Sequence, residues 1–216
     1  TTPELLRLSA EEFFREVLRG RLGARALAEG PNFGFGRNRE GNIETLAEFC
    51  RRDGLVLTVV PPQTVNGVVV SSSKVRNALL RGAVREAAQM LGRPYRLRGR
   101  VGIGQRRGQR LGFPTANLEQ PETLVPGDGV YAVRVLARGG SWPGAANVGP
   151  NPTFGEQARK VEAHLIGFAG DLYGEPLAVD FLERLRDTRP FGGAGELVEQ
   201  LKKDVAEARR LAGPPG

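Results

Sequence analysis

Pro114, Thr115, Ala116 and Asn117 place two short oxygen-bearing side chains at alternate positions behind a residue whose ring fixes one backbone angle. In an extended segment Thr115 and Asn117 point the same way. A hydroxyl and an amide carbonyl are neutral oxygen donors. They suit a Mg2+ ion that keeps several waters and takes most of its charge compensation from nucleotide phosphates. The same residues would also serve as a turn and a cap. Just upstream, Gly104, Gly108 and Gly112 recur every four residues. Glycines let a backbone fold tightly around phosphate oxygens and aim amide hydrogens at them, and Arg106, Arg107 and Arg110 add positive charge. A bulged hairpin would use the same glycines. The commoner nucleotide devices are missing. None of Lys74, Lys160, Lys202 and Lys203 follows a glycine, so there is no P-loop, and the GFGRNR run from Gly34 fails the dinucleotide fingerprint at its third glycine.

The elements that must position these groups fall into two textures. In the first 92 residues helix and strand signals alternate. Ser9 followed by Glu12 is a capping box, and Phe13, Phe14, Val17, Leu18 and Leu22 then recur at helical spacing. Residues 24–28 and 55–60 read as short strands flanking a helix over 43–52, which predicts a βαβ-type parallel sheet. Next come VSSSKVRNALLRG, where Ser73 can cap a helix and Gly82 can end it, and AVREAAQMLG, ended by Gly92. From Tyr95 to about Leu185 period-2 signals take over, at 96–101, 130–136, 161–166 and 177–182, separated by Gly, Pro, Asn and Asp clusters. Several short strands at such spacing predict a small antiparallel barrel or sandwich. Leu197, Leu201, Val205 and Ala208 give a closing helix near 196–211 one apolar stripe.

Composition limits what such a chain can be. With 216 residues, 40% of them apolar and 25% charged, it has the make-up of a globular chain of one large domain or two small ones. No run approaches the roughly 20 apolar residues of a membrane span and no leader is visible, so the cytoplasm is the expected compartment and no membrane partner is expected. One cysteine, Cys50, and one histidine, His164, make neither an internal disulfide nor a closed zinc site. The net charge of +7 is spread over both halves. A local excess does run through Arg93, Arg96, Arg98, Arg100, Arg106, Arg107 and Arg110 without an acidic residue. It fits an anionic ligand, a solvated face, or a barrel that holds RNA. The RNA alternative needs aromatics interleaved for stacking, and only Tyr95 and Phe113 lie in or beside the run, so no nucleic-acid partner is expected.

LGFPTANL (111–118) with its glycine ladder, GVYAV (129–133), AANVGPNPTFG (145–155), VEAHL (161–165), GDLYG (170–174) and FLERLRD (181–187) stand in the order seen in riboflavin kinase domains. LGRPYRLRG (91–99) resembles the entry to that domain in bacterial bifunctional riboflavin kinase/FAD synthetases. GPNFGFGRNREGN (30–42) and VSSSKVR (70–76) resemble the second half of their adenylyltransferase domain. The resemblance covers nearly the whole chain. It implies an α/β plus all-β protein: a partial Rossmann-like nucleotidyltransferase domain over 1–92, then a small antiparallel Greek-key β-barrel with a C-terminal helix over 93–216. The activity it implies is transfer of the ATP γ-phosphate to the ribityl 5′-hydroxyl of riboflavin, giving FMN, with Mg2+ as cofactor and small molecules as the partners. The alternatives are a piece of a bifunctional enzyme making FMN and FAD, and a flavin-binding protein without catalysis.

Carried onto this sequence, the resemblance makes Thr115 and Asn117 the residues that organise Mg2+ and ATP, within a nucleotide site of Gly102, Gly104, Gly108, Gly112, Pro114, Thr115, Asn117 and Asn147. Glu162 becomes the base that deprotonates the ribityl hydroxyl. If 161–166 is extended, Glu162 shares a face with His164 and Ile166, as that role requires. Arg186 and Tyr131 are placed at the flavin, and Ser71, Ser72, Ser73 and Arg76 become the surviving half of an adenylyltransferase nucleotide site at a helix N-terminus. This chain departs from the family pattern at Gln109, Asn151 and Gly167, where arginine, arginine and aspartate are usual. It also has no His-x-Gly-His turn, since its one histidine is His164. Together with the missing opening strand, this makes residues 1–92 an expected incomplete adenylyltransferase.

Overall fold

The computed structural model describes residues 2–104, 107–151 and 156–214, with the side chains of 107, 151, 156 and 157 excepted. Arg106 of the arginine run and residues 152–155 of the AANVGPNPTFG motif therefore lie outside the described residues. Contacts divide the chain into two units, Thr1–Val69 and Val70–Gly216.

In the first unit a short helix α1 (Pro3–Arg7) precedes the expected capping box. Ser9 Oγ accepts from Glu12 N at 3.2 Å, and the Glu12 carboxylate accepts from Ser9 N at 2.8 Å. The turn so started, α2 (Ala10–Glu12), widens into a π-form helix over Phe13–Arg21 that buries Phe14. Strand β1 (Ala26–Glu29), helix α3 (Ile43–Arg52) and strand β2 (Val56–Val59) follow. The two strands pair in parallel from Ala26↔Val56 to Glu29↔Val59, the expected βαβ unit. Asn42 caps α3 by accepting from Thr45 N at 2.9 Å. Phe14, Phe35, Leu46, Cys50 and Leu55 form the core of this unit. A hairpin of β3 (Thr64–Val65) and β4 (Val68–Val69) turns through Asn66 and Gly67, both at positive φ as a tight primed turn requires.

The second unit opens with helices α4 (Ser72–Leu80) and α5 (Val84–Leu91). Ser71, not Ser73, caps α4, because the extended residue is Ser71 and its Oγ accepts from Lys74 N at 3.3 Å. Ala78, Leu79, Val84 and Ala87 belong to the same core as the barrel strands, so the contacts divide ahead of the 92/93 boundary that texture suggests. Six strands follow: β5 (Tyr95–Gly102), β6 (Ala116–Glu119), β7 (Gly129–Ala137), β8 (Gly140–Asn151), β9 (Glu156–Leu165) and β10 (Pro176–Arg186). They close a barrel in the order β10-β5-β6-β9-β8-β7, through antiparallel pairs. The meander β7-β8-β9 with β6 beside β9 is a Greek key.

Side-chain alternation sorts each strand. Leu97, Val101, Ala116, Leu118, Val133, Val135, Val148, Val161, Ala163 and Val179 fill the barrel. On the outer wall Ala132, Ala145 and Ile166 are covered by Ala208, Val205 and Leu211 of the last helix, α7 (Ala194–Ala212). That helix is pinned by Arg186, whose Nη2 lies 2.8 Å from the buried carboxylate of Asp204.

Candidate active site

One row of the ladder assembles the expected chemistry. Antiparallel register sets Asn117 of β6 opposite Glu162 of β9, and Glu162 opposite Asn147 of β8. Directly opposed residues have Cα atoms roughly 4.5–5.5 Å apart and side chains on the same face. The amide, the carboxylate and the second amide therefore stand side by side on the outer wall, facing away from Ala116, Val161 and Val148. Thr188 joins them, donating from Oγ1 to Asn147 Oδ1 at 3.5 Å. Gly102 of β5 continues the row on the other side of Asn117.

Thr115 stands just before β6, at the end of a loop whose turns are drawn in by Gly108. The Gly108 carbonyl accepts from Leu111 N at 3.1 Å and from Phe113 N at 2.8 Å. A short helix, α6 (Arg107–Arg110), lies inside the loop. Two glycines of the loop sit in close approach, Gly108 against backbone and Gly104 against the Asn117 side chain. A Cβ on Gly104 would fall 2.0 Å from Asn117 Nδ2, and one on Gly108 would fall 2.2 Å from the Phe113 carbonyl oxygen. Gly102 lies under the carboxylate of Glu119, a flexible side chain that can swing aside. His164, on the Glu162 face of β9, reaches Pro114: its Nδ1 lies 2.8 Å from the Pro114 carbonyl oxygen, and its ring meets Phe113 edge-on at 5.6 Å between centroids. Burial pushes the imidazole below its ordinary pKa, against a smaller opposing effect of that hydrogen bond.

A cavity of about 330 Å³ opens beside this loop. It is lined by Gly104, Gln109, Pro114, Thr115 and Asn117 from the loop and the start of β6, by the apolar Val101, Leu165 and Leu172, and by Phe168, Asp171 and Tyr173 from the segment after β9. Glu162 is not among the lining residues. It adjoins the cavity through its strand partner Asn117, which lines it. Asp171 shapes its wall by accepting from Tyr173 N at 2.9 Å.

The other expected positions fall less neatly. Tyr131 is corrected: the structure removes it from any flavin surface. It is wholly buried, its hydroxyl donates to the Gly127 carbonyl, and its ring meets Phe181 edge-on at 5.2 Å. Burial accordingly raises its pKa. Arg186 does lie in register with Val130, next in the row after Asn147, but its guanidinium is engaged by Asp204 through Nε and Nη2. Ser71, Ser72, Ser73 and Arg76 form the start of α4, with the Ser71 hydroxyl occupied in capping. In the arginine run, Arg96 pairs with Asp180 at 2.6 Å and Arg100 donates to the Gly174 carbonyl at 2.9 Å. Residues 168–173, His164 and Glu119 join the site only through the structure. The glycines of GDLYG carried the available signal: Gly170 and Gly174 both sit at positive φ and bracket the cavity wall.

Comparison with known proteins matches this architecture. The riboflavin kinase family model covers residues 91–212, the barrel with its closing helix. The chain belongs to the riboflavin kinase family. An FAD synthetase family model matches residues 2–74. Among curated relatives, the bifunctional riboflavin kinase/FMN adenylyltransferase of Pseudomonas fluorescens is 41% identical over 208 residues, spanning 96% of this chain and 67% of that protein. Its namesake from Escherichia coli K12 is 36% identical over 95% of this chain and 66% of its own length. This riboflavin kinase family member thus spans about two thirds of the relatives it matches. A solved chain from Streptococcus pneumoniae, described as a macrolide-efflux protein, is 33% identical with a TM-score of 0.85, over 96% of this chain and 67% of that one. Among the described residues no helix is long and apolar enough to cross a membrane.

Proposed function

We propose that this barrel transfers the terminal phosphoryl group of ATP to the 5′-hydroxyl of riboflavin, giving FMN and ADP. The observation that carries the reading is the register that makes Asn117 and Glu162 ladder partners, so that one wall of the nucleotide-sized cavity ends where the carboxylate begins. In this reading the adenine base takes the side of the cavity that Phe168, Leu172 and Tyr173 line, and the phosphates take the side lined by Gly104, Thr115 and Asn117. Riboflavin approaches from the other side of Asn117, with its ribityl end at Glu162 and Asn147.

Thr115 and Asn117 supply neutral oxygens at alternate positions on one face, a donor set that fits Mg2+ held mainly by phosphates. Bound there, the ion would neutralise phosphate charge. The remaining work belongs to the chain. Glu162 accepts the proton of the ribityl hydroxyl as its oxygen bonds to the γ-phosphorus and the bond to the bridging oxygen of ADP breaks. Asn117 and Asn147 orient the two reactants on either side of the carboxylate. Such positioning and charge stabilisation account for most of the catalysis in phosphoryl transfer. The 216 residues hold one histidine, in β9, and no His-x-Gly-His turn, so we assign phosphoryl transfer and not adenylyl transfer to this chain. Ser71, Ser72, Ser73 and Arg76 keep a proposed nucleotide role that rests on resemblance to the adenylyltransferase domain.

The test is incubation with riboflavin, ATP and Mg2+ and chromatography of the flavins. FMN without FAD is expected. Glu162→Gln should lower turnover by roughly 10² to 10⁴ with melting unchanged, the size of a positioned base; unchanged kcat would remove Glu162 from the mechanism.

A further inference from the structure

On its β9 side, the end of β6 that carries the nucleotide donors is held by little backbone pairing. Only Ala116↔Ala163 and Asn117↔Glu162 join it to β9, and Thr115 stands before the strand begins. Pro114 has no N–H to offer a neighbouring strand. Its carbonyl is held instead by a side chain of β9: His164 Nδ1 lies 2.8 Å away, with the ring set edge-on against Phe113. One imidazole thus grips both residues that precede Thr115, from a strand position two residues beyond Glu162.

We propose that His164 is a positioning residue, a strut from β9 whose Nδ1–H donates to the Pro114 carbonyl and fixes Thr115 and Asn117 at a set distance from Glu162. The inference rests on the kinase reading of this site and adds to it a residue that touches neither substrate. A carbonyl oxygen only accepts, so Nδ1 carries the proton and a neutral ring leaves Nε2 bare. The strut acts on the donor side alone. Glu162 and Asn147 keep their register without it, because β8 and β9 pair independently of Pro114 over seven register positions from Gly144↔Leu165 to Asn151↔Glu156. Loss of the strut therefore weakens ATP binding and alignment and leaves riboflavin binding alone. A misplacement of about 1 Å at a reacting group costs up to roughly 10²-fold in rate.

The experiment compares His164→Asn with His164→Gln. The asparagine amide nitrogen falls close to the position of Nδ1, whereas that of glutamine falls near Nε2. With the strut, Asn keeps KM for ATP within about threefold of wild type, while Gln raises it about tenfold or more and lowers kcat, both with KM for riboflavin unchanged. A residue that merely packs would affect Asn and Gln alike, through melting temperature and active fraction, and equal KM values for ATP in the two variants would overturn the proposal. A second readout needs no turnover. The chain has one histidine, so its 15N imidazole spectrum reports one ring, and the strut requires the proton on Nδ1; a ring protonated on Nε2 alone overturns it. Should the wild-type chain form no FMN, the kinase reading fails, while the Nδ1 proton and the Asn/Gln difference in ATP binding by titration calorimetry still decide the strut.

Discussion

Replacing Gly104 by alanine perturbs the site by a known amount. Its Cβ would stand 2.0 Å from Asn117 Nδ2 and 2.8 Å from Asn117 Cγ, while an unstrained carbon–nitrogen contact needs about 3.5 Å. The shortfall of about 1.5 Å must be met by moving the Asn117 amide or the loop backbone, and either change separates the donor that lines the cavity from the carboxylate opposite it. A displacement of that size predicts a loss of roughly 10²-fold in kcat/KM for ATP, equivalent to about 2.7 kcal/mol of transition-state stabilisation. The damage should be confined to the reaction, because the loop edge contributes no residue to the barrel core beyond Val101. Steady-state kinetics with ATP varied at saturating riboflavin, read by flavin chromatography, measures it. Gly139→Ala is the control: it has φ +76 and open space around its would-be Cβ, so it should cost about 1 kcal/mol of stability and no activity. If Gly104→Ala retains kcat/KM for ATP within twofold of wild type, the reasoning that packs Asn117 against this glycine is refuted.

Asn117→Ala should raise KM for ATP more than tenfold and leave KM for riboflavin within about threefold, and equal effects on both would contradict the assigned role. Asp204→Ala strands the guanidinium of Arg186, whose side chain is 19% exposed against 4% for Asp204, and should cost about 3–5 kcal/mol in denaturant unfolding; adding Arg186→Met should recover part of it. His164 has a pKa held below its ordinary value by burial, so the unfolded chain takes up a proton first as the pH falls. Stability should then drop as the pH falls below about 6.5 and level off once the folded ring is also protonated, with the slope absent in His164→Asn when melting is followed against pH.

The strands that alternate β-branched and polar residues could be read directly: β5, β7, β9 and β10 fall on the expected runs, and α3 matches its expected span over 43–52. The two-residue strands β3 and β4 and two strands of the barrel escaped. β6 is four residues long, too short to show a period, and β8 carries Gly140, Pro143, Gly144, Gly149 and Pro150. Pro143 is tolerated at the end of the β9 ladder, where its carbonyl still accepts from Ile166 N at 2.8 Å and one lost N–H bond costs least. Thr115, Asn117 and Glu162 were legible as chemistry, but their adjacency is a matter of register between strands 45 positions apart, as Asn117↔Glu162 shows, and no local pattern encodes it. Local pattern hides side-chain partners as well: Tyr131 is lost to burial, and Arg186 carries an ion pair the sequence does not show. A phenol or a guanidinium near family motifs looks available for a ligand until the partner that occupies it, the Gly127 carbonyl or Asp204, is seen.

Strand β6 closes the barrel with three register pairs to β5 and two to β9, so the cylinder's weakest seam runs along the line where donor faces acceptor. Local opening of that seam would part the two reactants' anchors before the rest of the wall gives way. Amide exchange at Ala116 and Asn117 should consequently track heat inactivation, with turnover fading at temperatures where most of the sheet is still intact.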